Sequence, residues 1–119
     1  MAWTFSSSKP VYLQISERIT KSILSGEYPA GQQLPTVRQL AMDAAVNPNT
    51  VQHAFTDLEN VGIIVSRGTL GRFVTEDEAI IERCRHDLAQ QVIKDFIKDI
   101  HSLAIDPDDA IAMIKEVSL

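Results

Sequence analysis

The sequence predicts an α+β fold that is mainly helical, with three helices and a β-hairpin followed by two more helices. Apolar residues recur at three- and four-residue steps in five separate segments, which is the period of an amphipathic helix. Two segments rich in β-branched and aromatic residues flank the turn sequence GTLG, as in a hairpin. The chain of 119 residues, 45% of them hydrophobic, suffices for one compact domain and a small addition.

The chain is organised around residues 34–58, which the pattern predicts to be two helices joined by a short turn. Thr36 can cap the first helix, and Gln39 three residues later completes a capping box. Asn47 can cap the second helix, and Pro48 suits its first turn, where no N–H donor is needed. The shared apolar seam consists of Val37, Leu40, Ala41, Ala44, Val51, Ala54, Phe55 and Leu58. Such a pair is a helix-turn-helix.

The flanking segments complete a winged helix-turn-helix. An earlier helix has Pro10 in its first turn, and Gly26 suits its left-handed end. The apolar line of this helix consists of Tyr12, Ile15, Ile19 and Ile23. After a helix end near Gly62, residues 63–66 and 72–74 predict two strands. A two-stranded hairpin is marginal in water, so we expect it to lean on the helices as a wing.

From Thr75 onward the sequence predicts a separate helical tail. Thr75 and Glu78 can form another capping box, which opens a long acidic helix that runs to about Ala104. Asp106 can cap a last helix, whose first turn is acidic as the helix dipole favours. We therefore expect a winged helix-turn-helix DNA-binding domain at residues 1–75 and a helical dimerisation or effector tail at residues 76–119.

The charge distribution separates these two parts. The formal net charge of the chain is −5. Residues 1–75 contain six basic and five acidic residues, a net charge of +1, whereas residues 76–119 contain five basic and eleven acidic ones, a net charge of −6. A phosphate-facing surface therefore belongs to the first part, and non-specific affinity for DNA should be modest.

The start of the second helix of the pair has the chemistry of a DNA-reading surface. Its outward residues are Asn49, Thr50, Gln52 and His53. These side chains donate and accept hydrogen bonds without negative charge, as a helix that enters the major groove requires. His53 points either to a phosphate or to solvent. Thr36 and Asn47 are helix caps whatever else they contact.

The apolar stripe of the long tail helix indicates how the tail is used. The stripe consists of Ile81, Cys84, Leu88, Val92, Phe96 and Ile100. Two tail helices this apolar cannot cover each other completely. We expect a homodimer interface, since a twofold contact is the commonest solution and places two recognition helices one DNA turn apart. The alternative is a helical hairpin that folds back on the winged domain.

Other classes of function find little support. The three histidines accompany no recognisable nucleophile motif, and the sequence has neither a P-loop nor a dinucleotide glycine fingerprint. A metal site from Cys84, His86 and Asp87 is conceivable, but charged residues beside a helix seam are usually solvated. The sequence shows no membrane span and no secretion signal, and a single cysteine fits a reducing compartment. We expect a cytoplasmic protein that is not an enzyme and needs no cofactor.

The ordered motifs PVYLQISERI, LPTVRQLA, VNPNTVQHAF and RGTLGRFV resemble the DNA-binding domain of the GntR family of bacterial transcription regulators. The resemblance covers roughly residues 10–74, and the short two-helix tail is similar to the YtrA-type subfamily. It implies a homodimeric repressor that binds a double-stranded operator with an inverted repeat and controls a neighbouring transporter operon. A small-molecule effector is compatible with it but is not identified. A winged-helix module that binds protein instead of DNA is the alternative, supported only by the acidic net charge.

Transferred residue by residue, the resemblance implies which side chains meet DNA. Thr36 and Arg38 occupy positions that touch phosphates and base edges. The residues that read the major groove are Asn47, Asn49, Thr50 and Gln52, with His53 beside them. The wing-tip residues that approach the minor groove are Arg67, Gly68 and Thr69. Several relatives have arginine where this chain has Pro48 and Gln52, and Gln52 instead suits adenine. Arg72 is expected to be a solvated strand residue.

Overall fold

The structure is a computed structural model and describes residues 2–117. Three helices and a hairpin are followed by two further helices, which confirms the fold predicted from the sequence. The elements are α1 (Val11–Leu24), α2 (Val37–Ala44), α3 (Pro48–Val61), β1 (Ile64–Ser66), β2 (Arg72–Val74), α4 (Glu78–Ser102) and α5 (Pro107–Glu116). The chain divides into two compact units between Cys84 and Arg85. The predicted domain boundary at residue 75 stays a prediction.

The first unit is built on one hydrophobic core to which α1, α2, α3 and the hairpin all contribute. Its largest fully buried side chains are Phe55, Ile15, Ile63, Ile64, Val51 and Val74. Burial of each such side chain stabilises the fold by about 1.5–3 kcal/mol. The predicted seam of the helix pair is buried except for Val37, which is partly buried. This core therefore fixes the direction in which α3 presents its exposed start.

The predicted caps of the helix pair are confirmed. Thr36 Oγ1 accepts a hydrogen bond from the Gln39 N–H at 3.1 Å, and Gln39 Oε1 accepts one from the Thr36 N–H at 2.9 Å. Asn47 Oδ1 accepts one from the Asn49 N–H at 2.8 Å. Between the two helices Ala45 adopts a left-handed conformation with φ of 58°, which makes the turn tight. At the far end Gly62, with φ of 96°, terminates α3 as predicted.

The hairpin leans on the rest of the first unit, as expected of a wing. β1 and β2 pair antiparallel, with Val65 opposite Phe73, and a 3₁₀ turn at Gly68–Leu70 joins them. The loop before α2 adds to the outer edge of β2, because the Leu34 N–H donates to Arg72 O at 2.8 Å. The start of α2 and the wing are thereby joined through the backbone.

The N-terminal arm also belongs to the first unit. Trp3 and Phe5 pack against its core, partly buried, and the Arg18 guanidinium carbon lies 3.9 Å from the centre of the Trp3 ring. α1 begins at Val11, so Pro10 precedes its first turn and does not lie within it. The prediction for Pro10 was therefore wrong by one position.

The start of α4 differs from its prediction. The Thr75 N–H donates to Ile63 O at 2.9 Å, so it is not available to the side chain of Glu78. Thr75 Oγ1 instead accepts from the Asp77 N–H at 3.1 Å, and Asp77 Oδ1 accepts from the Ala79 N–H at 3.0 Å. The capping box predicted for Thr75 and Glu78 is therefore wrong, and Asp77 performs the capping.

The second unit pairs most of α4 with α5. α4 ends at Ser102, two residues before the predicted end, and Ala104 turns the chain with φ of 59°. Asp106 caps α5, since its Oδ2 accepts from the Asp108 N–H at 3.2 Å. An apolar groove of roughly 700 Å³ runs between the two helices. Its lining includes Phe96, Ile100, Ala110, Met113, Ile114 and Val117. In the described part of the chain every helix is too short or too polar to cross a membrane.

Candidate nucleic-acid interface

The starts of α2 and α3 differ electrostatically from those of the tail helices. The first turns of α2 and α3 contain no acidic residue, whereas α4 begins with Glu78 and α5 carries Asp108 and Asp109. A helix N-terminus carries about half a positive charge and suits an anion unless a nearby carboxylate neutralises it. The starts of α2 and α3 therefore remain suited to phosphate.

At the start of α2 the structure places both predicted residues on the surface. Thr36 is the N-cap, with its hydroxyl oxygen engaged by the Gln39 N–H, and Arg38 follows in the first turn with an exposed side chain. A cation at the positive end of a helix is unfavourable for the helix itself. Helix stability therefore does not account for Arg38, whereas an anion bound at this end would.

The start of α3 presents its predicted residues in a fixed frame. Asn47 caps the helix, Asn49 is exposed and Thr50 is half-buried. The exposed Gln52 is held along the helix, because its Nε2 donates to Thr56 Oγ1 at 3.3 Å. To pair with a base edge, the Gln52 carboxamide would have to break its hydrogen bond to Thr56 or use its remaining donor and acceptor.

His53 has a contact that the sequence did not indicate. Its ring stacks on that of Tyr12 in α1, with ring centres 3.7 Å apart and planes at 12°. Its Nε2 lies 4.0 Å from Asp57 Oδ1. The side chain is 53% exposed, and it would have to leave the Tyr12 ring to turn toward a phosphate. Tyr12 was predicted as part of the buried line of α1, and only the packing of α1 against α3 reveals its partner.

The wing tip carries the third group of predicted residues. Arg67 is exposed, with its guanidinium carbon 4.6 Å from the centre of the Phe73 ring, and Thr69 is exposed beside it. Gly68 adopts φ of 59°, which a residue without Cβ accommodates most easily. Gln33 Nε2 donates to Leu70 O at 2.6 Å and so holds the tip to the loop before α2. Gln33 lies in a loop without periodicity, and no sequence signal indicated this role.

Arg72 joins the wing to α3, which corrects the expectation of a solvated residue. Its Nε donates to Glu59 Oε1 at 3.1 Å, and its guanidinium carbon lies 5.1 Å from the centre of the Phe55 ring. The two side chains of the ion pair are 23% and 28% exposed. With the Gln33 contact, this pair connects the wing, the start of α2 and α3 within one unit.

The residues of the predicted dimer stripe fall into two groups. Ile81 is buried within the first unit, and Cys84 packs partly buried against the core of that unit. Val92 and Phe96 of the second unit are 55% and 40% exposed, and Leu88 and Ile100 are half-buried. The first two side chains therefore already have partners inside the protomer, whereas the other four remain at least partly exposed.

Tyr28, in the first half of the loop between α1 and α2, has two acidic neighbours. Burial raises the pKa of the Tyr28 hydroxyl, and the carboxylates of Glu27 and Asp43 raise it further against the opposing effect of Arg18. Among residues 2–117 no group of three or more His, Cys, Asp or Glu side chains could hold a metal ion.

Three helices, a wing and acid-free helix starts with polar and basic side chains define a winged helix-turn-helix protein of the DNA-binding class. Residues 11–74, more than half of the chain, match the family described as bacterial regulatory proteins, gntR family. The chain belongs to the GntR family. It is accordingly a transcriptional regulator of the GntR type and not an enzyme.

Two relatives from Bacillus subtilis (strain 168) extend the similarity into the tail. The HTH-type transcriptional regulator YhcF is 34% identical over 111 residues, which cover 93% of this chain and 92% of YhcF. The HTH-type transcriptional repressor YtrA is 32% identical over 113 residues, which cover 94% of this chain and 87% of YtrA. The similarity to YtrA-type regulators therefore includes both units.

Two solved structures are similar as well. A GntR family transcriptional regulator from Listeria monocytogenes superposes with a TM-score of 0.86 at 39% identity, covering 96% of this chain and 100% of that one. AraR(DBD) in complex with operator ORX1 superposes with a TM-score of 0.57 at 26% identity, covering 63% of this chain and 95% of that one. The second similarity is to a protein that was solved on operator DNA.

Proposed function

We propose that this chain is a sequence-specific DNA-binding repressor that acts in the cytoplasm as a homodimer on an inverted-repeat operator. The observation that carries the proposal is the pair of acid-free helix starts, at α2 and α3, with Arg38 exposed on one and Asn49 and Gln52 exposed on the other. Phosphate contacts position a protein on the duplex and base-edge contacts give it specificity, and this surface has side chains for both.

The residues proposed to contact DNA fall into three groups. The helix-two group would touch phosphate and base edges, the helix-three group would enter the major groove, and the wing group would approach the minor groove. These residues are Thr36, Arg38, Asn47, Asn49, Thr50, Gln52, His53, Arg67, Gly68 and Thr69. Direct contacts within the first unit connect the three groups, as a rigid reading surface requires.

The homodimer is proposed to form through the second unit. Exposed apolar side chains line α4 and α5, among them Val92, Phe96, Met113 and Ile114. A contiguous apolar surface of this kind favours burial against a partner, and a second copy offers the same surface. The seam would consist of Leu88, Val92, Phe96 and Ile100.

The mode of regulation and the regulated operon are the most specific parts of the proposal. The similarity to a protein named as a repressor supports repression. The resemblance to the YtrA-type subfamily supports a neighbouring transporter operon. A small-molecule effector that acts through the tail would relieve repression by changing the spacing of the two recognition helices. Deletion of the gene should then raise the transcript levels of its own operon, which quantitative RNA measurement would reveal.

Mobility-shift titrations of the full chain on DNA from upstream of its own gene test the central claim. We expect the logarithm of the association constant to fall linearly with the logarithm of the salt concentration. The slope should be about −0.9 for each phosphate neutralised. Footprinting should show two protected half-sites about 10 base pairs apart from centre to centre.

The matched control is a duplex of the same length and composition in which one half-site is scrambled. Equal affinity for the two duplexes would exclude sequence-specific binding. Failure to retain any promoter fragment at low salt would favour a winged-helix module that binds protein.

A further inference from the structure

The stack of Tyr12 on His53 lies at the edge of the surface proposed to read DNA. His53 follows Asn49 by four residues and Thr50 by three, so these side chains share one face of α3. Tyr12 comes from the second residue of α1, which is a different element from the one that carries the candidate reading residues. The stack therefore connects α1 directly to the first half of the recognition helix.

The geometry of the stack is that of a close, nearly parallel ring pair. The ring centres are 3.7 Å apart and the planes are inclined by 12°, so the rings touch face to face. Asp57 Oδ1, 4.0 Å from His53 Nε2, lies at an edge of the same imidazole. The imidazole is thus confined by α1 on one side and by its own helix on another. Aromatic pairs in contact contribute about 0.5–1.5 kcal/mol beyond the area they bury.

The stack forms the outer edge of a longer contact between α1 and α3. Beneath it, Ile15 of α1 and Val51 and Ala54 of α3 are completely buried. One turn further along α1, Ser16 Oγ lies 3.0 Å from Tyr12 O and 3.5 Å from Ala54 O. The buried residues fix the distance between the helices, and the ring pair outside them resists rotation of α3 about its own axis.

We propose that Tyr12 is a positioning residue for DNA recognition, which through its stack on His53 sets the rotation of the exposed start of α3. A small rotation of this helix would displace Asn49 and Gln52 from the base edges they are proposed to meet. Base contacts depend steeply on geometry, whereas long-range attraction to phosphate does not. The stack should therefore affect specific binding and leave non-specific binding almost unchanged.

The inference rests on the proposed function and assigns His53 a role different from a phosphate contact. An imidazole stacked on Tyr12 would have to leave that ring to turn toward the backbone of a duplex. The two roles make different predictions. If the pair positions α3, removal of either ring lowers operator affinity. If His53 contacts a phosphate, only removal of His53 lowers the affinity, and the salt dependence falls as well.

The test is a double-mutant cycle in the full chain, with Tyr12→Ala, His53→Ala and the double variant, and with Tyr12→Phe as the conservative control. Operator affinity, non-specific affinity and salt dependence are measured for each. We expect Tyr12→Ala and His53→Ala each to weaken operator binding by about 3- to 10-fold. The double variant should lose no more than the larger single loss. Tyr12→Phe, which keeps the ring, should bind like the unmodified chain, and non-specific affinity and salt slope should not change.

Three results would overturn the inference: unchanged operator affinity in Tyr12→Ala, multiplying losses in the double variant, or an equal loss on non-specific DNA. A salt slope reduced by about one in His53→Ala alone would assign His53 to a phosphate instead. If Tyr12→Ala does not fold, Tyr12→Leu takes its place, because leucine keeps an apolar side chain at this position and has no ring to stack on His53. Operator affinity equal to that of the unmodified chain would then overturn the inference. Failure of the proposed function would appear earlier, as absence of specific binding by the unmodified chain.

Discussion

Arg38 shows how the position of a single residue separates a structural role from a functional one. It occupies the first turn of α2, where the dipole of the helix repels a cation, and its side chain is exposed. The capping box of Thr36 and Gln39 already satisfies this helix end. Arg38 therefore contributes little to the stability of the first unit and is available to an anionic partner.

Arg38→Ala should weaken operator binding by about 1–3 kcal/mol if Arg38 contacts a base, as measured by mobility-shift titration. The unfolding midpoint in urea should stay the same or rise slightly, because an unfavourable charge is removed from the helix start. Lys21→Ala is the matched control, since it removes the same charge from an exposed position in the last turn of α1. Equal affinities of the two variants would remove Arg38 from the proposed interface.

At the residue scale, the sequence predicts interactions that stay within a few positions of the chain. Thr36, Asn47 and Asp106 were all identified as caps, because their partners lie two or three residues away. Thr75 was misassigned because its N–H bonds to Ile63, twelve residues earlier, and no local pattern indicates that pairing. The Tyr12 ring contact was missed for the same reason, since its partner is 41 residues away.

The wing shows how elements of this fold depend on one another. Two three-residue strands have too few hydrogen bonds to be stable alone. The hairpin is secured by the loop before α2, through Gln33 and Leu34, and by α3, through the Arg72–Glu59 pair. Any change that loosens these contacts should alter the position of Arg67 and Thr69 together.

Glu59→Gln should lower the free energy of unfolding by about 1 kcal/mol, because the replacement leaves the half-buried Arg72 guanidinium without a carboxylate. Chemical denaturation measured by circular dichroism gives this difference. Glu17→Gln is the matched control, since it breaks the Lys9–Glu17 pair at 3.0 Å, whose side chains are 48% and 41% exposed. An exposed pair contributes about 0–1 kcal/mol. A loss no greater at Glu59 than at Glu17 would show that the Arg72 pair does not secure the wing.

At the element scale, the helices, the strands and the apolar seam of α2 and α3 were predictable, whereas the polar contacts between elements were not. The period of apolar residues identified α3 and its end at Gly62, and the turn residues identified the hairpin. The predicted lean of the wing was also correct, since it follows from the instability of an isolated hairpin. Gln33 and Arg72 make the connecting contacts, and their polar side chains gave no sign of which neighbours they would meet.

At the scale of the whole molecule, the second unit leaves apolar side chains exposed that contacts within the protomer do not cover. Its apolar groove of roughly 700 Å³ includes Phe96, which is 40% exposed, and Met113 and Ile114, which are about half exposed. The apolar stripe was visible in the sequence, and the prediction assigned all of it, from Ile81 to Ile100, to one interface. The structure shows that its first two members are used within the first unit, because α4 begins there.

Phe96→Asp should convert the proposed dimer into monomers, because it would bury an unpaired carboxylate at the seam. A cost of about 3–5 kcal/mol corresponds to a dimer dissociation constant raised roughly a hundredfold or more. Sedimentation velocity over a range of concentrations measures this change. Operator affinity should fall with it, since each half-site alone binds weakly.

Lys94→Gln is the matched control for Phe96→Asp, because it makes the same change in net charge at an exposed position on another face of α4. It should leave the sedimentation coefficient unchanged. A dimer that persists in Phe96→Asp, with helical content preserved, would place the interface elsewhere.

Trp3 is the single tryptophan of the chain, and its indole lies under the Arg18 guanidinium against the core of the first unit. Its emission spectrum is consequently an intrinsic optical probe of that unit, whereas helical ellipticity averages over both. A melt followed by both signals separates loss of the winged part from loss of α4 and α5 without any label. The molecule thus carries its own reporter at the end of the chain opposite to the acidic tail.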